Sequence, residues 1–305
     1  MWFKNLIAYQ LDKPFNYGQE ELEALLEKNP FDRCSSQQPW TIGWVPPMGR
    51  QGELLSHRSR SFTLLTARRE ERLLPAGVVR EAVNEKVETI ESEQDRRVGR
   101  KEKLEIREEL VFDMMPRAFT RSSYISAIII EDQNLLIVDA ASRTRAEEWI
   151  TLLRETLGSL PLHPLQVKES MSGTFTLWLK GDVQLPEQWS IGDQCELRST
   201  EEAGSVVRFS KHDLSSDELE SHFEAGKVAV KLALEWQDSA SFVINDALEF
   251  KRLKFADRLL EEAATDAGSD AAAQFDANFI LMSLELNRFL PAFFELFGGI
   301  QTKQD

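Results

Sequence analysis

The chain has 305 residues, 42% hydrophobic and 29% charged, with 36 Lys and Arg against 51 Asp and Glu for a formal charge of −15. That composition is globular, and the length allows a buried core with two or three subregions. No run approaches the ~18 apolar residues of a membrane span. The N-terminus lacks a signal-peptide pattern, and two distant cysteines, Cys34 and Cys195, form no disulfide framework, so a cytosolic, reducing setting is expected.

In chain order, residues 3–9 read as a strand, Phe3, Asn5, Ile7 and Tyr9 alternating with Lys4, Leu6 and Ala8. A short helix runs from Glu20 to Lys28, with Leu22, Leu25 and Leu26 on one side and Asn29-Pro30 as its stop. The segment Gly43-Trp44-Val45-Pro46-Pro47-Met48-Gly49 is expected to be a turn, because two consecutive prolines remove two donors and fix φ. Residues 61–67 read as a strand. Pro75 suits a first helical turn, after which Val79, Val83, Val87 and Ile90 recur at helical spacing. A second helix after Gly99 carries Leu104, Leu110, Val111, Met114 and Met115 and ends at Pro116. Two highly charged helices with narrow apolar stripes predict a projecting hairpin that is thinly stabilised alone. Strands at 124–130 and 135–140 lead to a helix at 144–157, ended by Gly158 and Pro161. Residues 227–236, 241–245 and 249–255 predict consecutive antiparallel strands. The acidic stretch 261–273 reads as an exposed connection, and 271–297 as a helix rich in Phe. Helices and antiparallel strands in blocks, without regular βαβ alternation, give an α+β class.

Charge is unevenly placed along this order. Residues 1–49 carry a net −2, residues 50–121 a net +2, and residues 122–305 a net −15. Cations gathered into one stretch of an acidic chain can face a polyanion locally while the rest repels it. Arg68, Arg69 and Arg72 lead into the hairpin; Arg96, Arg97, Arg100, Lys101 and Lys103 cluster at its turn; Arg117 and Arg121 flank its exit; Lys251, Arg252 and Lys254 form a separate run. Residues 80–95 carry six acids against two bases, which leaves no cation in excess and gives the pattern of a solvated helix face. For 96–103 five cations meet one acid, Glu102, which leaves cations available for phosphate. The aromatic residues sit in periodic runs, not interleaved with these cations as a base-stacking surface would be. The residues alone therefore reach a sequence-independent phosphate binder, set against an exposed charged face.

Enzyme signatures are sparse. Gly226-Lys227 resembles the end of a phosphate-binding loop, but Ser221 replaces the leading Gly and Val228 the magnesium-holding hydroxyl. No Gly-x-Ser-x-Gly elbow occurs. The four histidines, His57, His163, His212 and His222, lack metal-ligand spacing. Asp238, Asp246 and Glu249-Phe250-Lys251 place carboxylates and a lysine on adjacent strands, the parts a metal-dependent nuclease would need, although so short a motif arises easily among many acids.

Several segments together resemble the RdgC family, the bacterial recombination-associated proteins. They are residues 43–49, Leu74-Pro75, Pro116-Arg117-Ala118-Phe119-Thr120-Arg121, Glu224-Ala225-Gly226-Lys227, Leu253-Lys254-Phe255 and residues 275–282. Their order and spacing match over essentially the whole chain, and Trp-Val-Pro-Pro-Met-Gly and Pro-Arg-Ala-Phe are the specific ones.

The resemblance implies a horseshoe-shaped subunit with antiparallel sheets and a helical tip. Residues 1–74 and 122–170 would form its centre, 75–121 the tip and 171–305 the base. Two subunits would close into a ring around DNA, cytoplasmic and nucleoid-associated, without sequence preference, catalysis or cofactor, and would restrain RecA-promoted recombination. DNA contacts are expected from Arg68, Arg69, Arg96, Arg97, Arg100, Lys101, Arg117, Arg121, Lys211, Lys227, Lys251 and Lys254, and a partner-subunit contact from Phe119. Two departures from the family pattern are His212, where Gln is usual, and a tip turn richer in arginine. The alternative is an acidic protein-binding module that acts directly on the recombinase.

Overall fold

The computed structural model describes residues 2–201, 204–211, 213–214, 217–266 and 270–301. The first half runs β1 (Leu6–Leu11), α1 (Gln19–Leu26), β2 (Trp40–Val45), β3 (Ser56–Ser59), β4 (Phe62–Leu73), α2 (Ala76–Gln94), α3 (Arg100–Met114), β5 (Phe119–Ile130), β6 (Leu135–Val138) and α4 (Arg143–Leu157). The second runs β7 (Leu162–Pro164), α5 (Met171–Lys180), β8 (Trp189–Ser199), β9 (Val206–Ser210), α6 (Glu220–Glu224), β10 (Lys227–Trp236), β11 (Ala240–Asn245), β12 (Glu249–Phe255), α7 (Asp257–Asp266) and α8 (Ala271–Glu295).

Among the described residues twelve strands join one open antiparallel sheet in the order β2-β4-β5-β6-β1-β12-β11-β10-β8-β9, with β3 on β4 and β7 on β1. The N-terminal strand is the seam between the halves. One edge of β1 pairs with β6; the other pairs with β12 at Leu6 and Ile7 and with β7 from Tyr9 to Leu11.

Side-chain alternation sorts the central strands onto two cores. Leu6, Ala8, Leu64, Ile128, Ile130, Leu135 and Ile137 face one core, which α5 and α8 complete. Ile7, Tyr9, Leu65, Ala67, Ile129, Leu136 and Val138 face the other, where Trp149, Ile150 and Leu153 of α4 and Leu22 and Leu26 of α1 cover them. Burial on both faces explains why β5 and β6 read as unbroken aliphatic runs. The helix α8 also ties the halves together. His57 of β3 lies between Phe275 and Phe279 with its Nε2 3.0 Å from Asp276, and Gln133 donates to Asn287 at 2.6 Å.

Beyond the seam, among the described residues, the hydrophobic core lies on one face of β8–β12. Cys195, Leu197, Leu232, Leu234, Phe242, Ile244, Phe250 and Phe255 point to the first core, against Phe289 and Phe293 of α8. The other face lies on the same side as α4, but the second core, which α1 and α4 cover, takes no residue from β8–β12.

Several sequence expectations change, among them the opening strand, which runs Leu6–Leu11 and not 3–9. Gly43-Trp44-Val45 belong to β2, and the turn starts at Pro46. Gly43 is required there because a Cβ would lie 2.5–2.7 Å from the Pro30–Phe31 backbone, which pairs with Trp44. The strand expected at 61–67 continues to Leu73, since β5 begins at Phe119 and pairs with it residue for residue. The acidic 261–273 stretch is helical up to Asp266, its last three residues before Asp270 falling outside the described set. Helices α2 and α3 pack through Val79, Val83 and Ile106, whereas Leu104 is exposed.

Candidate nucleic-acid interface

At the turn between α2 and α3, Asp95 adopts a left-handed conformation (φ 47°) and Gly99 caps α3. Glu102 is held by Arg96, whose two terminal nitrogens donate at 2.7 and 2.5 Å, lowering the carboxyl pKa and raising that of the guanidinium. The single acid is thus consumed by a single arginine. Lys101 is almost fully exposed, 3.9 Å from Glu105, and Lys103 reaches Asn84 at 3.4 Å. Arg97 and Arg100 are exposed and make no ion pair among the described residues.

The β4–β5 ribbon carries the next group. Arg69 is 5% exposed, lies over the Trp40 ring, and donates to Glu71 at 2.5 Å and Glu148 at 2.8 Å. Its charge is spent on fastening β4 to α4, which sets it apart from the other sequence candidates. Arg121 and Arg145 also bind Glu71, and the three guanidinium donors pull its pKa down to about 2. Arg68 donates to Ser122 at 2.9 Å and lies over Phe31. Arg117 is exposed without an ion pair among the described residues. Beside it stands Phe119, paired with Leu73 at the end of the ribbon and 85% exposed, the most exposed of the large apolar side chains.

Across the seam, register aligns a single row: Arg208 on β9 opposite Glu196 on β8, Glu196 opposite Lys231 on β10, and Lys231 opposite Asn245 on β11, with Glu249 following on β12. Glu196 is buried and takes Arg208 at 2.8 Å, Lys231 at 3.0 Å and Arg198 at 3.2 Å. These donors outweigh its burial and hold its pKa at about 2. Glu249 meets Lys251 at 3.2 Å and Arg143, from the first turn of α4, at 3.9 Å. Arg252, at a bulge with φ 55°, donates to Gln194 at 2.7 Å. Six cations, Arg143, Arg198, Arg208, Lys231, Lys251 and Arg252, therefore stand around Glu196 and Glu249 on this side, with Glu147 near Arg143 where it accepts from the Tyr9 hydroxyl. The acids Glu235, Asp238 and Asp257 gather at the far end of the strands, beside exposed Lys254.

Two further candidates lie apart from that row. Lys227 sits 3.4 Å from the His222 ring, and Lys211 is exposed at φ 54°. His212 lies outside the described residues. Arg143, Arg145, Arg198, Arg208 and Lys231 escaped the sequence reading because they are scattered in an acidic segment. The readable signal was alternation in β8 and β10, which puts charge on every second position opposite the core.

The nuclease fragment does not assemble. Asn245, Lys251 and Arg143 occupy the Glu249 carboxylate, and among the described residues no three His, Cys, Asp or Glu side chains converge to hold a metal ion. Cys34 and Cys195 are buried free thiols, and burial pushes Cys195 up to about 12. Among the described residues no helix is long and apolar enough to cross a membrane.

A family model described as "Putative exonuclease, RdgC" matches residues 1–300. The chain belongs to the RdgC family. Recombination-associated protein RdgC of Pseudomonas syringae pv. syringae (strain B728a) is 45% identical over 305 residues, covering 100% of this chain and 99% of the relative. Those of Pseudomonas entomophila (strain L48) and Pseudomonas aeruginosa (strain LESB58) are 45% and 44% identical with the same coverage. The resemblance read from the short motifs thus extends over the full length of the RdgC relatives.

Proposed function

We propose that two copies of this chain close into a ring around duplex DNA, bind it without sequence preference, and restrain RecA-promoted recombination by occupying the DNA. The observation that carries the reading is the placement of cations. A chain of net −15 gathers exposed arginines and lysines at the α2–α3 turn and along one side of its sheet. Phosphate contacts need such cations, and a ring can turn them inward while its acids face out. Arg97, Arg100, Lys101 and Arg117 supply contacts from the helical tip, with Arg96, Arg68 and Arg121 beside them. Lys251, Lys254, Lys211 and Lys227 supply them from the base. Phe119 docks on the partner subunit, because a phenyl ring this exposed gains by leaving water for a contact with a second copy. Closure also lets each contact be weak, since release then requires the ring to open.

The family description contains the word exonuclease, and the reading here is of a binding protein without catalysis. The Glu249 carboxylate, occupied by Lys251 and Arg143, supports it. Titrating random-sequence duplex against salt tests the function: log K falling linearly with log salt is expected, and no binding at low salt refutes it. Capture of RecA in the absence of DNA, unaffected by charge reversal at Arg96 and Arg97, would instead favour an acidic module. Plasmid nicking with magnesium would favour a nuclease.

A further inference from the structure

The outermost strands of the sheet hold an arrangement that the net charge of their segment conceals. Glu196 is buried, with 4% of its surface exposed, yet three cations from three strands meet on its carboxylate. Arg208 offers Nε and Arg198 one terminal nitrogen, with side chains 73% and 53% exposed; Lys231 is 38% exposed. Each arginine therefore keeps donors that Glu196 does not use. Three like charges on neighbouring strands would repel one another without a carboxylate between them. Glu196 holds them together and leaves an excess of two positive charges. Arg252, fixed by Gln194, adds a further cation from the same side.

We propose that Arg198, Arg208 and Lys231, gathered by Glu196, form a subsite for one backbone phosphate of DNA at the outer edge of the sheet. The inference deepens the DNA-binding reading and rests on it. Neighbouring strands lie about 4.8 Å apart, so β9 to β10 spans roughly 10 Å. Three donors within that span converge on a tetrahedral anion, and guanidinium groups suit phosphate oxygens in pairs. A phosphodiester fits better than a carboxylate partner because the cations continue along the sheet to Lys251 and Arg143, a track for a repeating polyanion.

The test is fluorescence anisotropy of a labelled 30-base-pair random duplex at several KCl concentrations. The Arg198→Gln/Arg208→Gln variant is compared with wild type and with Arg154→Gln, an exposed helical arginine outside the cluster. One lost phosphate contact should lower the slope of log K against log salt by about 0.9 and weaken binding equally for all sequences. Arg154→Gln should leave the slope unchanged. Arg208→Gln alone, on the edge strand, gives the same readout if the double variant melts early. Wild-type slope in a folded Arg208→Gln and in the double variant overturns the subsite while DNA binding stands. Retained DNA binding with loss of polyglutamate binding overturns it in favour of an acidic protein. A wild-type chain that binds no DNA removes the broader reading as well.

Discussion

Replacing Phe119 with Ser separates assembly from folding. The ring is 85% exposed in the single subunit, so its removal takes almost nothing from the core. Fully burying a phenylalanine side chain contributes about 2–3 kcal/mol. A symmetric contact uses each residue twice. The substitution should then cost the dimer about 4–6 kcal/mol, a thousandfold or more in dissociation constant at about 1.4 kcal/mol per decade. Sedimentation equilibrium measures that constant, and a thermal melt of dilute protein checks the fold, expected to shift by less than about 0.5 kcal/mol for a surface site. An unchanged dimer constant would refute the assignment of Phe119 to the contact. A large loss of subunit stability would show that the ring packs within its own chain.

Arg69→Gln should act in the opposite way, destabilising the subunit by about 3 kcal/mol because Glu71 and Glu148 lose a buried partner. Urea unfolding should show a lower midpoint, with DNA affinity per folded molecule unchanged. Glu71 and Glu196, both held at about 2 against an ordinary 4.5, bind protons more weakly folded than unfolded. Their stabilisation is full above the unfolded value and is lost as pH falls from about 5 towards 2, up to about 3 kcal/mol each. Glu71→Gln should flatten this acid limb of the stability profile; an unaltered profile would contradict the carboxylate's role. Gly43→Ala forces a Cβ against the Phe31 backbone and should cost about 1–3 kcal/mol in the same unfolding assay, whereas a neutral result would mean that this segment shifts freely.

Much of this fold was legible because periodicity follows burial. The three strands at 227–255 are rich in apolar residues that pack one face on α8, and despite bulges their bounds were read within a residue. The polar ends of β4 and β5 were illegible for the same reason: Arg68 to Arg72 and Thr120 to Ser123 have no apolar side, and pairing with each other and, for Arg68 to Glu71, with β2 makes them strands. Ile106 and Leu104 lie two apart on α3, about 200° around a helix of 3.6 residues per turn, so only one of them can face α2, and the stripe alone did not fix which. At the candidate site the cations of the α2–α3 turn were visible as a run. The cluster on Glu196 was not, because its three cations are 10 to 33 residues apart in an acidic segment and meet only through strand register.

Retention on circular DNA tests the central claim most directly. Protein loaded on a covalently closed circle and on the same molecule linearised is challenged with high salt, and the fraction still bound is followed over time. Closure around the duplex predicts slow release from the circle and rapid release through the ends of the linear form. Equal release from both would contradict it.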